Sequence, residues 1–235
     1  MFGNLAALKS FKNFKNSYLS LKAPKRNKII LCLPSTLIYS YKRNFKSKHI
    51  LIGAQNCHVN EKYGPFTGSV SPYMLKDAGA EYVILGHSEN RSEGENNKLI
   101  KKKIESALKQ NLKVIFCIGE NRRVKLRKKT FIFLKKQLRE SISKKFNHNK
   151  IIIAYEPIWS IGTGKVPKIL ELQKIFKFIK KNFKTKYAPK VLYGGSVNDK
   201  NIKKFSSIPD IDGFLIGGAS QSSKKFIAII NNYYK

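Results

Sequence analysis

Acidic side chains are scarce in this sequence. Its 235 residues hold 14 Asp and Glu against 47 Lys and Arg, so the formal net charge is +33, and no acid precedes Glu61. Long apolar runs are also missing: stretches such as Ile29 to Leu33 and Ile151 to Ala154 fall well short of the roughly 18 residues that span a bilayer. The chain is therefore expected to be soluble, with no membrane partner. Cysteine is rare, and Cys32, Cys57 and Cys117 can neither all pair nor, scattered as they are, form a zinc site. No disulfide framework and no metal site is expected, and a reducing, cytoplasmic setting is favoured. Stretches rich in Gly, Ser or Pro that could act as linkers are absent, which argues for one domain over residues 1–235.

The apolar share of 42%, with 11% aromatics, is sufficient for a sizeable core and excludes a wholly disordered basic chain. The positive charge suits polyanions, because Lys and Arg neutralise phosphates with release of counterions. No recognition motif accompanies it, and Lys, Asn, Ile, Phe and Tyr are abundant together, as A+T-rich coding DNA would make them. Salt-sensitive, sequence-indifferent attraction is expected, with no specific nucleic-acid partner.

Short apolar runs alternate with stretches of helical period. Ile29 to Leu33, His49 to Ala54, Tyr82 to Leu85, Val114 to Ile118, Ile151 to Ala154, Val191 to Tyr193 and Phe214 to Ile216 read as buried parallel strands. Asn97 to Lys109, Thr130 to Phe146, Ile169 to Asn182 and Lys224 to Asn231 read as helices with an apolar stripe. A first strand over residues 1–5 would bring the count to eight, leaving no presequence despite the acid-poor start. The expected fold is α/β, a single (β/α)8 TIM barrel.

In such barrels chemistry collects where strands end. Gly86, His87, Ser88 and Glu89 follow one strand, and Glu156 and Pro157 another, leading into a loop with Gly162, Thr163 and Gly164. Gly194, Gly195 and Ser196 follow the next, and Gly217 and Gly218 the last. Glycines there permit close backbone approach and could form an anion pocket. One carboxylate, one imidazole and one phosphate cradle result. Alone, each also fits a structural role: a satisfied strand-end His, a solvated Glu, glycines that merely turn the chain.

Six strings remove much of that ambiguity: LIGAQNCHVNEKYGPFTGSVSP from Leu51, YVILGHSENR from Tyr82, VIFCIGE from Val114, YEPIWSIGTGK from Tyr155, YGGSV from Tyr193 and DGFLIGGAS from Asp212. With them the sequence resembles the triose-phosphate isomerase family in order and over most of its length. The resemblance implies cofactor-free interconversion of dihydroxyacetone phosphate and glyceraldehyde 3-phosphate, a step of glycolysis and gluconeogenesis. Glu156 would be the proton acceptor and His87 a neutral electrophile. Asn4, Gly162, Ser196, Gly217 and Gly218 would bind substrate, and Pro157, Ile158, Trp159, Ser160, Ile161, Thr163, Gly164 and Lys165 would belong to a mobile lid. Gln55, Asn56, Thr67 and Gly68 would lie in the loop that joins a homodimer.

The sequence departs from the family pattern in two places. Ala6 stands where the family carries an active-site lysine, so weakened catalysis, or a degenerate barrel acting as a basic binding or scaffold protein, is the alternative. Glu89, which would neighbour that lysine, is expected to favour its protonated form if buried without a cation. Ser69 and Asn90 replace an acidic and a basic residue that form an intersubunit pair in many relatives. Cys57 and Cys117 are read as packing residues, and His49, His58 and His148 as surface or loop residues.

Overall fold

The computed structural model describes residues 3–21, 27–45, 47–183 and 188–234. Seven strands form one parallel sheet: β1 (Ile29–Leu33), β2 (Ile50–Ala54), β3 (Tyr82–Leu85), β4 (Lys113–Ile118), β5 (Ile151–Tyr155), β6 (Lys190–Tyr193) and β7 (Gly213–Phe214). Each strand pairs with the next in chain order. Successive side chains point to opposite faces. Tyr82, Ile84, Ile115, Cys117 and Ala154 accordingly pack together on the inner face. Val83, Leu85, Val114, Phe116 and Ile153 join the outer core beneath the helices.

The helices are α1 (Ala7–Leu19), α2 (Ser35–Asn44), α3 (Pro72–Asp77), α4 (Ser88–Ser92), α5 (Asn97–Lys109), α6 (Arg122–Leu126), α7 (Thr130–Ser141), α8 (Ile169–Lys181), α9 (Ile202–Ser206) and α10 (Ser223–Tyr233). In α5 the Asn96 side chain accepts the Leu99 N–H at the N-terminus, and Ile100, Lys103, Ile104 and Ala107 line the buried stripe. The period predicted helix to Phe146, but α7 stops at Ser141 and Ile142 is extended. The Ser143 hydroxyl accepts the Lys145 N–H, a local bond that competes with a helix, and the Ser141 hydroxyl donates across to the Asn97 carbonyl of α5.

The strand expected over residues 1–5 is not found among the described residues, and Met1 and Phe2 lie outside them. Gly3 has φ +122°, and helical-turn bonds begin at once, from the Ala7 N–H to the Asn4 carbonyl and from the Leu8 N–H to that of Leu5. Residues from Ala6 onward favour helix, and α1 buries its aromatic face between two neighbours. Phe11 meets Tyr41 of α2 edge-on at 5.4 Å, and Phe14 stacks on Phe226 of α10 at 5.0 Å.

Candidate active site

The β3 and β5 ends carry the two groups that matter most. Gly86 turns the chain out of β3 with φ +72°, and His87 caps α4. Its Nδ1 accepts the N–H of Glu89 at 3.4 Å, while its Nε2 faces Glu156 Oε1 at 3.2 Å. That pattern is a neutral imidazole with its proton on Nε2, donated to the carboxylate. Glu156 follows β5, its N–H donates to the Ile118 carbonyl at 2.8 Å, and its side chain is only 4% exposed. Two glycines make room for it. A Cβ on Gly119 would lie 1.8 Å from the Glu156 carbonyl oxygen, and one on Gly194 would lie 2.8 Å from Glu156 Cγ.

Burial pulls the His87 pKa down, but the hydrogen bond and charge of Glu156, with a contribution from Glu89, outweigh it. The net shift is above the ordinary 6.5. Beneath the pair lies Cys117, whose thiol is held well above its usual range by burial first and then by the adjacent Glu156 carboxylate. It stays protonated.

Side chains from further along the chain hold these strand ends in place. Arg91 donates from Nε to the Gly86 carbonyl at 2.7 Å, from one terminal nitrogen to the Cys117 carbonyl at 3.1 Å and from the other to Asn97 Oδ1 at 2.8 Å. It thus ties the residue before His87 to the strand under Glu156. Buried Gln137 of α7 clamps Gly119, accepting its N–H at 2.9 Å.

The segment from Pro157 to Lys165 begins in a 3-10 turn, Ile158–Ser160, and continues as exposed chain through Gly162 and Gly164, both at positive φ. Its root is held from below. Glu120, fully buried, accepts from Trp159 Nε1 at 2.9 Å and from the Tyr155 hydroxyl at 3.1 Å. Burial raises the Glu120 pKa above the usual carboxylate value, and these donors offset it only in part. Lys125 sits 4.7 Å over the Trp159 ring and pairs with Glu171. The Ser160 hydroxyl donates to the Lys165 carbonyl at 2.5 Å and accepts the Ser196 N–H at 3.4 Å. A buried carboxylate beside an imidazole N–H can move a proton out of contact with water.

Comparison with known proteins agrees with this arrangement. The family described as "Triosephosphate isomerase" matches residues 1–233. The chain belongs to the triosephosphate isomerase family. A relative of that name from Dictyoglomus thermophilum is 40% identical over 231 residues, covering 94% of this chain and 92% of its own. Another, from Aquifex aeolicus, is 36% identical, covering 96% and 94%. The crystal structure of triosephosphate isomerase from Bartonella henselae superposes with a TM-score of 0.89 at 31% identity, covering all of this chain and 96% of that one. The fold is accordingly the α/β barrel of that family.

Within that frame, His87, Glu156 and Cys117 come together, and the Ser196 N–H reaches the Ser160 hydroxyl. Gly162, Gly217 and Gly218 are exposed at the same strand ends. Asn4 and Ala6 are exposed at the head of α1. Glu89 requires a correction: its side chain is 82% exposed in the first turn of α4, so the burial on which a protonated form depended is missing. Arg91, Gln137 and Glu120 escaped the sequence reading as site residues, since their partners lie 5 to 39 positions away. The string CIGE, ending in Glu120, was the one signal that could have marked the last.

In the loop after β2, Asn56 donates to Glu95 Oε1 at 3.0 Å, and Glu95 pairs with Lys103, which is largely buried. Thr67 and Gly68 stand exposed at the tip. A cleft of about 380 Å³ opens beside the loop, lined by residues that include Gln55, Asn56, Cys57, His58, Ser69 and Lys103.

Proposed function

We propose that this chain interconverts dihydroxyacetone phosphate and D-glyceraldehyde 3-phosphate through an enediolate, and that Glu156 and His87 carry the proton transfers. The observation behind this reading is the 3.2 Å approach of His87 Nε2 to the buried Glu156 carboxylate. Substrate entering between them presents its carbonyl oxygen to the Nε2–H, which leaves the carboxylate free to face the adjacent C–H. Glu156 takes that proton and the C–H electron pair becomes the C=C of the enediolate. His87 steadies the developing oxyanion, passes its Nε2 proton to that oxygen and takes one back from the hydroxyl on the neighbouring carbon. Glu156 then returns a proton to the neighbouring carbon. The reaction is a redistribution of protons within one molecule, and acid–base groups suffice for it.

Backbone N–H groups of Gly162, Ser196, Gly217 and Gly218 bind the phosphate, and Asn4 approaches the substrate from the head of α1. The lid from Pro157 to Lys165 closes over the site and excludes water. All of this lies in one barrel domain, operating in the cytoplasm. Two copies assemble by placing the Thr67–Gly68 tip of each into the cleft beside the other's loop, since exposed Tyr63 and Phe66 offer apolar area there.

The test of the reaction is a coupled assay with glyceraldehyde 3-phosphate. The parent turns over, and Glu156→Asp, which draws the carboxylate back by one methylene, loses about 10²-fold or more. A variant that kept the parent rate would overturn the role of Glu156. Sedimentation at micromolar protein tests assembly: twice the 26.9 kDa chain mass is expected, and a monomer would refute it.

A further inference from the structure

Cations and exposed aliphatic side chains crowd together where α6, α7 and α8 meet. From Arg122 to Lys129 six of eight residues are Lys or Arg, a run that covers α6 and the turn into α7. Among the described residues, Arg122, Arg123, Arg127, Lys128 and Lys129 take part in no ion pair. The two acids of these three helices are already engaged: Glu171 pairs with Lys125, and Glu140 accepts from Asn97 Nδ2 at 2.9 Å. Amid this charge Leu126, Ile132 and Leu170 are each 71% exposed.

Contacts between the helices bring those three residues to one junction. Lys125, next to Leu126, pairs with Glu171, next to Leu170. Phe131, next to Ile132, meets Phe178 of α8 edge-on at 4.9 Å. The Lys129 N–H donates to the Val124 carbonyl at 3.2 Å, which folds the basic run back against the head of α7. The outer faces of the two longer helices extend the charge. Lys136 and Arg139 follow Ile132 at helical spacing on α7, Lys174, Lys177 and Lys181 follow Leu170 on α8, and all are exposed.

We propose that this face docks on an anionic bilayer surface, with Leu126, Ile132 and Leu170 entering the acyl boundary and the surrounding Lys and Arg lying among the headgroups. The mixture of side chains decides the partner. Unpaired cations alone suit a nucleic acid equally, but stacking on bases uses aromatic faces, and the most exposed apolar residues here are aliphatic. A folded protein would need a matching hole for each protruding side chain, whereas an acyl boundary gives way around them. A second copy of a chain with net charge +33 is repelled. The charge is spread over three helices rather than gathered in a pocket, as suits an extended anionic surface. No helix among the described residues is long and apolar enough to cross a membrane. The expectation of no membrane partner rested on the want of such a segment, and docking at the surface needs none. The inference does not rest on the reaction assigned above.

The test is co-sedimentation of the full chain, at physiological salt, with vesicles of phosphatidylcholine alone and with vesicles in which about a third of the lipid is phosphatidylserine. The parent should bind the second kind only. Arg127→Ala with Lys128→Ala should lower its partition roughly 30-fold, and Leu126→Ser with Ile132→Ser, which keeps every charge, roughly tenfold. Lys224→Ala with Lys225→Ala removes the same charge from exposed positions on α10, the helix that stacks on α1, and should change the partition little. Failure of the parent to bind phosphatidylserine vesicles would overturn the proposal. So would a serine pair that binds like the parent, because charge alone would then be acting, or an α10 pair that loses as much as the α6 pair. Binding to duplex DNA that the α6 pair loses, with vesicles ignored, would assign the face to nucleic acid instead.

Discussion

The wall formed by β3, β4 and β5 and the side formed by β7, α1 and β1 are built to different standards. In the first, every strand has two neighbours, Arg91 and Gln137 lock the strand ends, and Glu156 is fitted between Gly119 and Gly194. In the second, β1 and β7 each pair with a single strand among the described residues, and Asn4 and Ala6 are exposed. The groups that must be placed to a fraction of an ångström for proton transfer sit on the over-determined wall.

Breaking the rigid wall should have the larger effect. Arg91→Met keeps much of the side-chain volume but leaves the Gly86 and Cys117 carbonyls without their charged donor. A loss of about 3 kcal/mol is expected, lowering the thermal midpoint by roughly 10 °C. Below that midpoint, turnover should fall while inorganic phosphate binds nearly as before, because the proposed phosphate groups, Gly162, Ser196, Gly217 and Gly218, are not bonded to Arg91. Equal losses in both would remove the distinction between the two regions.

A second test concerns charge within that wall. His87 is held above its ordinary 6.5 mainly because Glu156 overcomes the effect of burial. A folded value above the unfolded one adds stability that is fully present below the unfolded pKa and disappears as pH rises through the folded one. Proton NMR titration should place His87 above 6.5 in the parent and lower in Glu156→Gln. The urea midpoint of the parent should likewise fall across that window more than the variant's does. A His87 titration indifferent to Glu156→Gln would show that the 3.2 Å contact does not control the imidazole.

The smallest change is expected on the loose side. Ala6→Lys supplies the cation that the resemblance drawn from the sequence leads one to expect at this position, and a gain of up to about tenfold in kcat/KM is expected, shared between affinity and turnover. If Ala6→Lys improved nothing, the exposed head of α1 would be too remote to act on the substrate.

How much of this could be read from the sequence follows the same division. Runs of Val, Ile and Leu marked all seven strands, because a strand buried on both faces has little compositional choice. His87 and Glu156 were legible because short strings fix both the residue and its place at a strand end. Arg91, Gln137 and the contact of Cys117 with Glu156 were not, since each depends on which distant backbone the fold brings alongside. The strand expected over residues 1–5 is a different case: Met1 and Phe2 lie outside the described residues, and from Gly3 to Leu5 the chain is already turning into α1, which the helix-favouring residues from Ala6 onward continue.

The most direct test of the central claim, proton transfer through Glu156, is isomerisation of dihydroxyacetone phosphate in deuterium oxide, with the product examined by NMR. A proton on a carboxylate is exchangeable, unlike a hydrogen that stays bound to carbon, so the account predicts deuterium at C2 of part of the glyceraldehyde 3-phosphate formed. It also predicts that Glu156→Asp forms that product about 10²-fold more slowly. Product that carries no solvent deuterium, formed at the parent rate by the Asp variant, would contradict it, because hydrogen would then pass between the two carbons without Glu156.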